Sequence, residues 1–299
     1  MAERLVWTPA DGSPPLDLSD ESAGFVWQAE GTRGLRSVVY SFTSQSYAGI
    51  DGDEVQAVRA EANHPSIGML VRARNVDEFR ARTRALVHAL RPKAGPGTLT
   101  VTTEDGRARR LVCFYEGGAE GDESDETTMP GRWWKLILRL YAPMPWWLGD
   151  PQRVELGLGA PTTFFPIFPL VLSPSTIQGQ FTVDLSDTDA PAYPVWTITG
   201  PGSSIELTNQ TTGRSILVDT ALGPGESMRI DTRPGARSVR RLVDSPEGPV
   251  PGELLTGALQ GDPALWPLIA GVNRVTAALA GATADSRITG EFEPRYAGV

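Results

Sequence analysis

Apolar positions in this chain recur mostly with period two. In RWWKLILRLYAPMPWWLGDP, residues 132–151, Trp134, Leu136, Leu138 and Leu140 share one face of an extended segment. Trp133, Lys135, Ile137, Arg139 and Tyr141 share the other. A uniformly apolar face beside a mixed one predicts a half-buried strand. Lys135 and Arg139 interrupt the run, so it does not make a membrane span, which needs about 20 predominantly apolar residues. Pro143 and Pro145 then end the ladder, because proline has no N–H to donate. The chain leaves through a Pro-rich exit carrying Trp146 and Trp147.

Upstream, FVWQAEGTRGLRSVVYSF (25–42) alternates in pieces around Gly31 and Gly34, and SYAGIDGDEV reads as a loop with the turn pair Asp51-Gly52. IGMLVRAR (67–74) reads as a strand. Val76, Phe79, Thr83, Leu86, Val87 and Leu90 follow at spacings of three and four, which predicts one amphipathic helix. Asn75 can cap it, Asp77 and Glu78 suit its positive end, and Pro92 stops it. Phe79, Leu86 and Leu90 are expected on the sheet, with Arg80, Arg84 and His88 outside. LTVTTEDGRARRLVCFYEG predicts a hairpin turning at Asp105-Gly106. The acidic tract EGDESDE (120–126) reads as a solvated loop.

Beyond residue 158 no helix is predicted. TFFPIFPLVL and GQFTVDLSDTDAPAYPVWTITG precede a regular ladder in which Ile205 and Leu207, Ile216 and Val218, and Met228 and Ile230 alternate with polar neighbours. Turns fall at Asn209–Gly213 and Gly223-Pro224-Gly225. Short strands at this spacing predict an antiparallel sandwich. Residues 245–263 read as a long loop, and RITGEFEPRY as the closing strand.

Length and composition sharpen this picture. The 299 residues suffice for two domains with separate cores. The 32 glycines and 25 prolines, spread along the chain, suit short strands and turns. A net charge of -9 offers no footprint for gripping phosphates and repels an anionic membrane surface. The N-terminal stretch lacks an apolar signal-peptide core, so manufacture and assembly in a cytoplasm are expected.

Candidate chemistry is sparse. The two histidines, His64 before a strand and His88 off the helix stripe, read as solvated or structural residues. The single cysteine, Cys113, excludes an internal disulfide and reads as a small core residue. Asp184, Asp187 and Asp189 lack the central Gly and closing Glu of a calcium loop and read as a turn. Asn209-Gln210-Thr211 matches a glycosylation sequon but reads as a turn start. HExxH, GxSxG and P-loop patterns are absent from the sequence. The expectation is therefore not an enzyme, with no catalytic, cofactor-binding or metal-ligating residue assigned.

The order of these parts resembles the distal tail protein family of long-tailed, non-contractile bacteriophages, also called siphovirus tail components or minor tail proteins. GTRGLR followed by GIDGDEV is similar to the family's paired-glycine region and following loop. IGMLVRAR, the helix VDEFRARTRALVHALRP and the hairpin with DGR come in the family's order, and LRLYAPMPWWLGD resembles its domain exit. YPVWTITGPGSSIELTNQTTGRSILVDTALGPGESMRIDT carries the most specific likeness: P-x-W/F-x-I-x-G, N-x-T-T-G, then G-E near I-D-T. LWPLIAGVNRVT resembles a late L-x-P-G-x-N turn, with Ala270-Gly271 in place of Pro-Gly.

The resemblance implies a mainly β protein. Residues 1–150 would be a β-sandwich or split-barrel ring domain with one helix, and residues 151–299 a galectin-like antiparallel sandwich. It implies a homohexameric ring joining the tail tube protein to the tail tip or baseplate hub and tape measure proteins, in the virion tail. DNA would pass through its lumen without specific binding, and no membrane would be involved. Residues 132–141 would be the last core strand of the ring domain, with Trp146 and Trp147 anchoring the linker. The acidic tract is then expected at the lumen or a solvent-filled rim. An alternative is a carbohydrate-binding module using Phe164, Phe165, Phe168 and Trp196 for stacking. A tail-associated hydrolase would need a carboxylate pair that the sequence does not single out.

Overall fold

The computed structural model describes residues 3–120, 127–157, 176–246, 248–261 and 265–299. The chain forms two compact units: Met1–Gly149 with Tyr296–Val299, and Asp150–Arg295.

The first unit carries β1 (Arg4–Thr8), β2 (Leu16–Asp17), β3 (Phe25–Arg33), β4 (Tyr40–Ser46), β5 (Asp53–Ala60), β6 (Ser66–Arg72) and helix α1 (Val76–Ala89). β7 (Gly97–Thr102), β8 (Ala108–Gly117), β9 (Thr128–Met129), β10 (Trp133–Tyr141) and β11 (Trp147–Leu148) follow. The main sheet runs β2-β1-β7-β8-β10-β6-β3, and its paired strands are antiparallel. As the alternation of residues 132–141 predicts, Trp134, Leu136, Leu138 and Leu140 are buried. They join Leu5, Trp7, Met69, Val101 and Cys113 in one core. The β7–β8 hairpin turns where Asp105-Gly106 places it.

Helix α1 starts at Asn75, whose Oδ1 accepts from the Glu78 N–H at 2.9 Å. The Glu78 carboxylate in turn accepts from the Arg74 N–H at 2.7 Å, so the entry to the helix is held by a reciprocal pair of bonds. Leu86 and Leu90 are buried and Phe79 packs on the core from the rim, while Arg80, Arg84 and His88 are exposed. Val76 and Val87 were expected on the apolar stripe but stand 48% and 47% exposed. The stripe touching the sheet is narrower than the hydrophobic pattern, because only one side of the helix meets it.

The paired-glycine region forms a bulge. The β3–β6 register shifts between Gln28 and Arg33, and Thr32 fills the gap. Its Oγ1 accepts from the Gly68 N–H at 3.0 Å and from Trp27 Nε1 at 3.1 Å. Gly31 sits there at φ +83, and a β-carbon on it would stand 2.8 Å from the Ile137 side chain. Only glycine suits both conditions.

The second unit holds β12 (Gln152–Gly157), β13 (Thr176–Leu185), β14 (Val195–Thr199), β15 (Ser203–Asn209), β16 (Arg214–Val218) and β17 (Ser227–Asp231). β18 (Ser238–Val243), β19 (Val250–Leu254), β20 (Leu259–Gln260), β21 (Gly271–Ala280) and β22 (Arg287–Phe292) complete it. Two antiparallel sheets, β12-β22-β14-β17-β18-β19 and β13-β21-β15-β16-β20, enclose one core. Trp196 lies at its centre, 5.7 Å from Phe181 and 5.9 Å edge-on from Trp266 between ring centroids. The expected ladder Ile205/Leu207, Ile216/Val218, Met228/Ile230 is buried throughout.

The stretch 245–263 is not one long loop. It contains the edge strand β19 and the short strand β20. Pro251 and Gly252 disguise β19, and an edge position is where a strand tolerates proline.

The last strand, β23 (Arg295–Tyr296), pairs with β11, and Tyr296–Val299 belong to the first unit. Arg109 lies 3.9 Å over the Tyr296 ring and donates to the Gly298 carbonyl. The Val299 N–H donates to the Leu35 carbonyl at 3.0 Å.

Candidate self-assembly surfaces

The residue types that carry chemistry are placed apart or held in structural roles. Cys113 is buried, and burial pushes its thiol up to about 12, so it stays protonated and unreactive. His64 Nδ1 is 3.2 Å from the Glu116 carboxylate and its ring packs 5.1 Å from Tyr141. His88 is exposed on the helix. Asp184 accepts from the Ser186 hydroxyl and N–H at 2.5 and 3.0 Å, bonds that hold its carboxyl below the usual range. This is the turn expected of DLSDTDAP. No cluster of three or more metal-ligating side chains forms among the described residues.

Asn209 opens its turn by accepting from the Thr211 and Thr212 N–H groups at 3.0 and 3.3 Å. Asn273, in the stretch LWPLIAGVNRVT, is fully buried. It donates to the Ile269 carbonyl at 2.7 Å and accepts from the Ile269 N–H at 2.9 Å. Both motif asparagines therefore shape backbone.

Of the proposed stacking aromatics, Trp196 is buried at 1% exposure. Phe164, Phe165 and Phe168 lie outside the described residues, as do acidic-tract residues 121–126. Glu120 is described and exposed. Its own N–H and that of Gly118 hold its carboxyl below the usual range, and it pairs with Arg139 at 2.7 Å. No helix among the described residues is long and apolar enough to cross a membrane.

What stands out is the hairpin β4–β5, a two-stranded sheet of its own. The sequence pattern places its turn in a loop and puts Tyr40 and Phe42 at the end of the preceding segment. Instead Tyr40 pairs with Ala60, Phe42 with Val58 and Ser44 with Val55. The register shift between Thr43 and Ser44 leaves an extra residue on β5, which brings Val55 onto the same face as Val58. That face presents Tyr40, Phe42, Val55 and Val58 at 45%, 64%, 53% and 56% exposure. The opposite face is polar, with Gln56 donating to Gln45 at 2.6 Å. Paired alternation of Tyr40/Phe42 and Val58/Ala60 around Gly49 and Gly52 is the signal that marks this hairpin in the sequence.

A second exposed surface lies on the outer face of β6, β9 and β10. Leu70, Arg72, Met129, Arg132, Trp133 and Lys135 line a cleft of about 800 Å³ there. Lys135 pairs with Glu30 at 2.7 Å and holds that carboxyl below its usual range. Contiguous exposed apolar residues rimmed by polar ones mark interaction surfaces.

No protein-family model matches the sequence. No curated protein matches it either. Among solved structures it is similar to SPP1 Dit, described as a paradigm of the hub adsorption apparatus in phages infecting Gram-positive bacteria. The TM-score is 0.63 at 16% identity, over 99% of this chain and 100% of that one. This chain has the Dit fold. A chain of the phage P2 baseplate in its activated conformation with Ca is also similar. Its TM-score is 0.51 at 9% identity, over 97% of this chain and 98% of that one. The Dit fold accommodates the mainly β architecture and the single helix expected from the sequence.

Proposed function

We propose that this chain is a distal tail protein: a non-enzymatic structural component of a long-tailed phage, whose copies close into a ring at the tail tip. What supports the reading most is the Dit fold over the whole chain. The uncovered apolar hairpin face in the first unit points the same way. A face that no described part of its own chain covers is accounted for by a neighbouring subunit. A ring requires a heterologous interface between two different patches of one subunit. The hairpin and the β6–β10 cleft supply two such patches.

In this reading residues 1–150 form the ring, a homohexamer that continues the tail tube. Residues 151–299 supply a galectin-like sandwich at its periphery. The partners are the tail tube protein, the tail tip or baseplate hub protein and the tape measure protein. The net charge of -9 favours a lumen that does not hold DNA phosphates, so DNA slides through. Electron microscopy of the purified full chain tests the reading. Closed rings with a central hole are expected, and isolated single-chain particles at micromolar concentration would reject it.

A further inference from the structure

We infer that the hairpin β4–β5 of one copy seats in the β6–β10 cleft of the next. This inference rests on the ring reading above and names the two faces that meet.

Apolar character agrees first. The hairpin offers an uncovered row of Tyr40, Phe42, Val58 and Val55, while the cleft offers Leu70, Met129 and Trp133. Met129 is 53% exposed, so the cleft is open in the isolated chain, and the hairpin of the same chain does not fill it. Each arm strand spans seven or eight residues, about 23–26 Å at the usual rise.

Charge agrees second. Residues 40–60 carry three acids, Asp51, Asp53 and Glu54, against one base, Arg59. Among the described residues the cleft is lined by Arg72, Arg132 and Lys135 and by no acid. Lys135 is already paired with Glu30 at its edge, which leaves Arg72 and Arg132 as the cations the hairpin meets. In a chain of net charge -9, a cationic lining is a local exception, and it matches the acidic end of the hairpin.

An unmet hydrogen bond agrees third. Gln28 lines the same cleft, and its Oε1 is buried without a partner. Buried acceptors are normally satisfied, so this one suits a donor arriving from outside the chain. Ser44 lies on the hairpin's apolar side and can supply such a donor, whereas the Ser46 hydroxyl is already given to Asp53 at 2.6 Å.

The test uses the full chain in three forms: wild type, a hairpin reversal (Asp53→Lys with Glu54→Lys), and a cleft reversal (Arg72→Glu with Arg132→Glu). Mass is read by light scattering at micromolar concentration, with a cooperative melting transition and an unchanged far-UV circular dichroism spectrum showing that each variant is folded. Wild type is expected to assemble. Each reversal alone is expected to weaken assembly at least tenfold. Equimolar mixing of the two reversals restores it, because every hairpin then finds a cleft of opposite sign.

Assembly of the cleft reversal at wild-type strength, or a mixture that stays monomeric, would overturn the pairing and leave the ring reading standing. A monomeric wild type would overturn both.

Discussion

Trp196 and Gly290 are cross-strand partners on β14 and β22, and the glycine is what makes room for the indole. A β-carbon at 290 would stand 2.5 Å from the Trp196 Cζ3. Gly290→Ala should therefore force the central ring of the sandwich off its position, at a cost of about 1–3 kcal/mol. Urea unfolding measures this. A loss below about 0.5 kcal/mol, typical of a surface change, would show that the core yields freely.

Leu86 is fully buried while its neighbour Val87 is 47% exposed. Leu86→Ala should cost about 2–5 kcal/mol of stability. Val87→Ala should stay within about 0.5 kcal/mol. Comparable losses at both positions would mean that the helix presents a wider face than the one described.

Asn273 holds four hydrogen bonds in a dry environment, including one at 3.1 Å from the Asn209 amide. Asn273→Ala leaves those partners unmatched and should destabilise the sandwich by about 1–3 kcal/mol. If instead the variant unfolds at the wild-type urea concentration, the backbone of the 269–271 turn needs no such pin.

Asp231 tests the acid limb. Burial alone would raise its carboxyl, but the hydrogen bonds from Arg233, at 2.6 Å for the shortest, prevail and lower it from 3.8. A lowered folded value means that the linked stability is fully present above about pH 3.8 and is lost as pH falls through the folded value. Asp231→Asn should be less stable than wild type at neutral pH, and the gap should close as pH drops below 3.8. A gap that is constant between pH 7 and pH 2 would exclude this linkage.

Elements with one buried face were readable from the sequence. β10 shows why: Trp134, Leu136, Leu138 and Leu140 all face a core, so burial and alternation coincide. The same holds for the ladder of the second unit. Elements whose apolar residues face outward were not readable in this way. β4 is rich in serine, and the irregularity between Thr43 and Ser44 breaks the parity that would link Val55 to Val58. β19 hides behind Pro251 and Gly252. The return of Tyr296–Val299 to the first unit involves too few residues to carry any period. The absence of an assigned catalytic residue was a statement about residue types. The assembly surfaces depend on strand pairing and on what remains uncovered, which a linear pattern does not contain.

The central claim is that copies of this chain join through the hairpin face. Its most direct test is the solution mass of the full chain by light scattering at micromolar concentration, compared with that of a Phe42→Glu, Val58→Glu variant. Both side chains are more than half exposed, so the variant should fold and unfold cooperatively, with its melting temperature lowered only by the subunit contacts it loses. The account predicts a closed oligomer, six copies by the proposed reading, for the wild type and a monomer for the variant. Equal masses for the two proteins would contradict it.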